Sequence, residues 1–247
     1  MKLSPVSRRV LISAHRGGAG HETGNENTLA AVEQAVAEGV DYVELDIQRR
    51  ADGSLVVLHD DPESGTAFPD PAGFGALLAA LGPARAHLDL KFGSPDGTFE
   101  IDAVRRALDV LGPGPHVATT GRVRTARALR AWADAEGLEL KVGISIGGSV
   151  AGLPLREQVR RRWAELFPHA KVAASRADVI AAHHALALLT LRRFARRQGL
   201  DLLVWTPDHP LLLRYWLRPG RAWLVTTNHP ARALRIRDAR GTDRMAP

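Results

Sequence analysis

The sequence predicts an α/β fold, a closed (β/α)8 TIM barrel forming a single domain over residues 1–247, with a short antiparallel ribbon after the second strand and a reduced insertion behind it. Three observations carry this expectation. Eight short apolar runs alternate with longer amphipathic ones, and that alternation implies crossovers joining a parallel sheet. Gly39, Gly112, Gly137 and Gly199 each follow an amphipathic stretch, where a residue tolerant of positive φ ends a helix. The chain of 247 residues is long enough for eight such units, and no linker, repeat or low-complexity block divides it.

The strands are expected at Val10 to Ala14, Tyr42 to Ile47, Ala86 to Lys91, Val117 to Thr120, Leu140 to Ile146, Val179 to Ala182, Leu202 to Trp205 and Trp223 to Thr226. Each is a short apolar run bounded by Gly, Pro or Asp. The clearest helices are Thr28 to Glu38, Phe99 to Leu111, Val123 to Glu136, Leu155 to Leu166, His184 to Gln198, Pro210 to Leu217 and Ala231 to Asp238, each with helical spacing of apolar residues. One departure follows the second strand. Asp52-Gly53 is a two-residue hairpin signal, so Leu55-Val56-Val57-Leu58 should return antiparallel and deliver His59 to the same end as the strand. Residues 60–75, with Pro62, Gly65, Pro69, Pro71, Gly73 and Gly75, read as an irregular loop.

Composition excludes several classes. Hydrophobic residues make up 45% and charged residues 24%, ordinary globular values that rule out disorder and coiled coil. There is no cysteine, which removes disulfides, thiolate metal sites and a cysteine nucleophile. The net charge of +6 favours anionic partners, but the arginines are spread over most helices and aromatics are only 5%, too few for a base-stacking surface, so nucleic acid is not expected as a partner. The apolar run near the start is shorter than a signal peptide requires, and no stretch approaches a membrane span, so the expected location is cytoplasmic.

The candidate site rests on residues that packing does not explain. Glu44 and Asp46 stand two apart in a strand and share one face, opposite Val43, Leu45 and Ile47. Asp89 and Lys91 repeat the pattern in the next strand, so neighbouring strands bring together three carboxylates and an ammonium. Both faces of a barrel strand are covered, and buried carboxylates are costly unless paired or bound to metal. Three oxygen ligands suit a hard divalent cation, Mg²⁺ or Ca²⁺. A metal-free network with Lys91 and arginines is the alternative. His15 follows the first strand and His59 the returning ribbon, at the mouth where barrel sites form, and two histidines flanking a cation would supply a general base and a general acid. The other histidines lack that placement. Gly17, Gly18, Gly20 and Gly24 loosen the loop after His15, but the spacing is neither a P-loop nor a dinucleotide fingerprint, and no serine-hydrolase elbow is present. An N-cap role is the plain reading of Asn27 or Thr28.

With these residues in place, the chain resembles the glycerophosphodiester phosphodiesterase family within the phospholipase C-like phosphodiesterase barrels. The matching run is His15-Arg16-Gly17, Glu26-Asn27-Thr28, Glu44-Leu45-Asp46, Asp52-Gly53 and Val56-Val57-Leu58-His59-Asp60, in the family's order over the first quarter of the chain. Val204-Trp205-Thr206 and Thr227-Asn228-His229-Pro230 add similarity near the end. The resemblance implies metal-assisted cleavage of a glycerophosphodiester to glycerol 3-phosphate and an alcohol. It implies His15 and His59 as the acid–base pair, Glu44, Asp46 and Asp89 as cation ligands, and substrate contacts from Arg16, Lys91, Glu26 and Trp205. In the family the neighbouring glycerol hydroxyl is the attacker, giving a cyclic phosphate that water opens.

Three departures stand out. Asp89 occupies a place where many members carry glutamate, and Asp89-Leu90-Lys91 followed by Gly93 is similar to the sphingomyelinase D and phospholipase D branch. Asn25 replaces a usual proline. The segment between His59 and Asp89 is shorter than the family's common insertion and lacks its Thr-Thr motif, leaving a more open mouth. A phospholipase D-like enzyme acting on lysophospholipids or sphingomyelin, with peripheral membrane contact, is therefore the second reading, and a non-catalytic anion-binding barrel the third.

Overall fold

The computed structural model describes residues 9–20, 22–64, 70–148 and 150–242. The strands are β1 (Leu11–Ala14), β2 (Tyr42–Arg49), β3 (Leu55–Val57), β4 (Arg85–Leu90), β5 (Val117–Thr120), β6 (Lys141–Ile146), β7 (Val179–His183), β8 (Asp201–Trp205) and β9 (Leu224–Thr227). They run β1-β9-β8-β7-β6-β5-β4-β2, and β1 pairs again with β2, so the eight parallel strands close into a TIM barrel; β3 hangs on β2 as the antiparallel ribbon. All eight expected barrel strands are present, shifted by one or two residues at their ends.

Alternation along the strands builds two apolar regions. Val43, Leu45 and Ile47 point outward into the large layer between strands and helices. Tyr42, Val117, Val179, Ala181, Leu203 and Leu224 point inward and fill the barrel near the strand starts. There the Tyr42 hydroxyl donates to the Pro115 carbonyl at 2.7 Å and its ring meets Trp223 edge-on at 5.9 Å. The apolar floor leaves polar inward positions only toward the strand ends, where Ser13, Glu44, Asp46, His87 and Thr119 are buried. This division keeps charge at the C-terminal mouth, the end where strand-to-helix loops can vary without disturbing the packed floor.

The helices are α1 (Leu29–Glu38), α2 (Gly73–Ala79), α3 (Thr98–Leu111), α4 (Val123–Ala135), α5 (Leu155–Leu166), α6 (His169–Ser175), α7 (His184–Leu186), α8 (Arg192–Gln198), α9 (Pro210–Trp216) and α10 (Pro230–Thr242). Thr28 caps α1 by accepting from the Ala31 amide at 3.2 Å, and the four glycines expected after helices all hold positive φ.

Four local expectations are corrected. The hairpin loop has three residues rather than two: Arg50 N donates to Ser54 O at 2.9 Å and Gly53 N to Arg50 O at 3.0 Å, with Gly53 at φ +90°. That is a turn completed by a left-handed residue, and Asp52 stabilises it by accepting from both the amide and the hydroxyl of Ser54. The loop expected over residues 60–75 gives way to α2 at Gly73, after a turn in which the Asp70 carboxylate accepts from Ala72 N at 2.8 Å; Gly65 and Pro69 lie outside the described residues. A further helix, α6, follows Pro168. The helix expected over His184 to Gln198 is interrupted by a wide π turn at 187–191, where the Thr190 hydroxyl donates to the Leu166 carbonyl at 2.8 Å.

Candidate active site

The site starts from strand register. β2 and β4 pair in parallel with Glu44 beside His87 and Asp46 beside Asp89, so the two aspartates stand on adjacent strands at one level. One oxygen from each of Glu44, Asp46 and Asp89 lies within 4.8 Å of the others. Three acids at that spacing repel one another, and the surrounding residues offset the repulsion. Lys91 Nζ sits 2.9 Å from Asp46 Oδ1 and donates to Asp89 Oδ2 at 2.5 Å. Arg16 places its Nε 3.1 Å from Asp46 Oδ2, donates from Nη1 to Glu26 Oε2 at 2.7 Å, and donates from its backbone amide to Glu44 Oε2 at 2.7 Å. Thr119 donates to Asp89 Oδ1 at 2.7 Å. Asn27, rather than capping a helix, is buried with its Nδ2 donating to Asp46 Oδ2 at 3.0 Å and its Oδ1 accepting from Asp46 N at 3.2 Å.

The tight turn after β1 makes the Arg16 geometry available. Arg16 adopts φ +51°, and Gly17 follows at φ +81°. A Cβ on Gly17 would lie 2.9 Å from the Ala31 Cβ and 3.3 Å from the Val32 amide nitrogen, so the turn packs directly on the start of α1 and only glycine fits both the angle and the space.

The environment divides the protonation states. Burial pushes the Asp46 carboxyl up, but the Lys91 ammonium and Arg16 guanidinium outweigh it and hold it at about 2. Burial and then the neighbouring Asp46 and Asp89 push Glu44 well above the carboxylate range. Burial would lower Lys91, yet Asp89 and Asp46 raise it, so the ammonium keeps its charge. Burial lowers His15, which is neutral near pH 7, and lowers His87 to about 4.

Hydrogen bonds fix the face that His15 presents. The Asn228 Nδ2 donates to Asp208 Oδ2 at 2.7 Å, and a carboxylate can only accept, so Asn228 Oδ1 faces His15 Nδ1 at 2.7 Å. His15 Nδ1 must then carry the hydrogen, and Nε2, 3.9 Å from Glu44 Oε2, keeps a free lone pair. His59 stands more exposed at the rim with Nδ1 2.8 Å from Asp60 Oδ1, which again places the hydrogen on Nδ1. His87 is held between the hydroxyls of Ser13 at 3.3 Å and Thr119 at 3.1 Å.

A cavity of about 780 Å³ opens at this end of the barrel. Seven of the nine residues singled out from sequence line it: His15, Arg16, Glu44, His59, Asp89, Lys91 and Trp205. Asp46 lies beneath the surface with no exposure, and Glu26 stands behind Arg16, holding the guanidinium rather than facing the space. Trp205 forms part of the wall, edge-on to His183 at 5.2 Å. Sequence alone assigns no role to Asp208 or Thr119, counts Asn228 only within the matching Thr227-Asn228-His229-Pro230 run, and sets His87 among the histidines without special placement. Asn228 directly follows β9 and Asp208 stands three residues past the end of β8, which puts both at the mouth, and His87 and Thr119 share the inward parity of Asp89 and Val117; those placements are the available signal.

A hard divalent cation fits the acidic trio. Every donor is a carboxylate oxygen, and Asp46 Oδ1 is buried without a hydrogen-bond donor, meeting Lys91 only as an ion pair. Lys91 and Arg16 also pair these acids, so the ion-pair network that the sequence left as the alternative is present, in the same cluster that could hold a cation.

Fold and site together define a (β/α)8 barrel with an acidic, imidazole-flanked cavity at its C-terminal mouth. Residues 15–66 match the glycerophosphoryl diester phosphodiesterase family. A glycerophosphodiester phosphodiesterase of Caldanaerobacter subterraneus is 45% identical over 104 residues, 42% of this chain and 41% of that protein. A lysophospholipase D of Mus musculus is 45% identical over 51 residues, 21% of this chain and 15% of that protein. The matches thus span less than half the length of these curated relatives. Across the barrel the likeness is one of fold: a phosphodiesterase of Oleispira antarctica, solved in complex with the product sn-glycerol-3-phosphate, superposes with a TM-score of 0.68 at 18% identity, covering 93% of this chain and 97% of that one. The first quarter of the chain is thus similar in sequence to glycerophosphodiester phosphodiesterases, and its barrel is similar to theirs in fold.

Proposed function

We propose that this chain is a divalent-cation-dependent phosphodiesterase cleaving glycerophosphodiesters to glycerol 3-phosphate and an alcohol, with residues 1–247 acting as one domain. The observation that carries the reading is His15: a half-buried imidazole on the cavity wall, its Nδ1 held by Asn228 and its Nε2 3.9 Å from Glu44 Oε2, in the same cavity that Glu44 and Asp89 line.

In this reading His15 Nε2 takes the proton of the attacking glycerol hydroxyl as its oxygen bonds to phosphorus. The bond from phosphorus to the leaving alkoxide breaks, and His59, at the rim where the alcohol departs, supplies the proton. Water then opens the cyclic phosphate with the two imidazoles exchanging roles. Arg16 and Lys91 bind phosphate oxygens, Arg16 by its planar fork and Lys91 as a point charge, while Glu26 aims the guanidinium and Trp205 walls the pocket. Glu44, Asp46 and Asp89 would hold Mg²⁺ or Ca²⁺, which when bound supplies positive charge to the phosphoryl oxygens.

Product analysis tests this. Purified chain with Mg²⁺ or Ca²⁺ is expected to release glycerol 3-phosphate from at least one deacylated glycerophosphodiester, and no release from a broad panel overturns the assignment. The second reading, a lysophospholipase D-like activity, is favoured by the Asp89-Leu90-Lys91 motif and the mouse relative. Formation of lysophosphatidate or its cyclic form from a lysophospholipid, with deacylated diesters untouched, selects it instead.

A further inference from the structure

Six of the nine exposed large apolar side chains described fall on one patch beside the cavity. Leu155, Val159, Trp163 and Phe167, at 74%, 61%, 66% and 49% exposure, recur every fourth residue along and just past α5. Leu188 and Leu189, at 44% and 67%, continue the patch on the turn at 187–191, which the Thr190 hydrogen bond ties to the end of α5. No residue of α5 is buried and only Leu166, at its end, packs against the core, so the exposed apolar stripe has no internal use.

The rest of α5 says what the stripe is for. Its other edge, through Arg161, Ala164 and Glu165, lines the active-site cavity, so the helix is the rim of the mouth. The helix also carries Arg156, Arg160, Arg161 and Arg162 against two glutamates, with Arg160 and Arg156 beside the apolar row. Aromatic and aliphatic side chains flanked by arginines on a helix of low overall hydrophobicity are the composition of a segment that lies in a bilayer interface. A second copy of the chain fits less well, since symmetric pairing through α5 would oppose two arginine-rich helices. The net charge of +6 adds long-range attraction to an anionic surface.

We infer that α5 and the 187–191 turn form a docking face for an anionic lipid bilayer, seating the mouth of the barrel on the membrane. Leu155, Val159, Trp163, Leu188 and Leu189 enter the headgroup boundary, while Arg156 and Arg160 meet lipid phosphates. Docking is independent of which diester the barrel cleaves and is read by binding alone.

The test is co-flotation of the full chain with phosphatidylcholine vesicles and with vesicles containing about one-third phosphatidylglycerol. The chain is expected to float with the anionic vesicles, less at high salt, and only weakly with the neutral ones. Val159→Asp with Trp163→Asp, and separately Arg156→Glu with Arg160→Glu, are each expected to lower partitioning by at least about tenfold while leaving turnover of a water-soluble diester unchanged. As a milder variant that keeps the fold, Trp163→Phe is expected to lose the quenching of tryptophan emission that brominated-lipid vesicles produce in the wild type. Absence of flotation with anionic vesicles, equal binding by the charged variants, or a dimer that Trp163→Asp dissociates without any vesicle uptake would each overturn the inference.

Discussion

Asn228 fixes which nitrogen of His15 faces the cavity. Its amide is oriented by Asp208 on one side and orients the imidazole on the other, so a chain of two hydrogen bonds leaves Nε2 free toward the carboxylates. Asn228→Ala removes the acceptor, letting the ring rotate and exchange tautomers. A rate loss on the order of 10²-fold is expected, the scale of a small misplacement of a reacting group, with the acid limb of the pH profile displaced to lower pH because the Asn228 hydrogen bond raises the His15 pKa; an unaltered profile would show that Asn228 does not position His15. The carboxylates were legible in the sequence because acidic residues two apart interrupt apolar strands and nothing in a core explains them. The part Asn228 plays was not: its position after β9 places it at the mouth, but its orientation depends on Asp208, 20 residues away, and that pairing leaves no pattern in the sequence. Asn27 shows the same limit: next to a helix start it reads as a cap, whereas the neighbouring Thr28 caps and Asn27 turns inward to Asp46.

At the level of elements, period-two and helical patterning placed the barrel strands within a residue or two, since each strand buries one face in the helix layer and one in the barrel. What the patterning missed were pieces set by local side-chain turns: α2, which follows the Asp70–Ala72 turn amid prolines and glycines, and the three-residue hairpin loop held by Asp52. The start of α3 depends on a similar device. Glu100 is fully buried and accepts from the amide and hydroxyl of Ser94 and from the Thr125 hydroxyl at 2.5 Å, linking α3 to the loop after β4 and to α4. Glu100→Ala leaves the buried Thr125 hydroxyl and the half-buried Ser94 amide and hydroxyl without their acceptor, so urea unfolding should show a loss of roughly 2–4 kcal/mol, with Glu100→Gln recovering part of it. A loss under about 0.5 kcal/mol, the scale of an ordinary surface change, would contradict this account of the element.

For the whole molecule, the closed barrel separates an apolar floor from a charged mouth, and none of its described helices is long and apolar enough to cross a membrane. Buried imidazole near the floor makes its stability depend on pH. His116 accepts from Ala86 N at 3.0 Å, and burial lowers its pKa below 6.5, only partly countered by a hydrogen bond to the Gly112 backbone. The unfolded chain therefore takes up a proton that the fold refuses, and stability is expected to fall as pH drops below 6.5. In denaturant titrations across this range, His116→Asn should be less stable throughout but show a shallower decline; an unchanged slope would remove His116 as a cause. The central claim is that the mouth carries out acid–base cleavage of a phosphodiester, and the turnover rates of His15→Ala and His59→Ala with divalent cation present test it most directly. Each is expected to fall by about 10² to 10⁴-fold with folding unchanged; near wild-type turnover in both would contradict it.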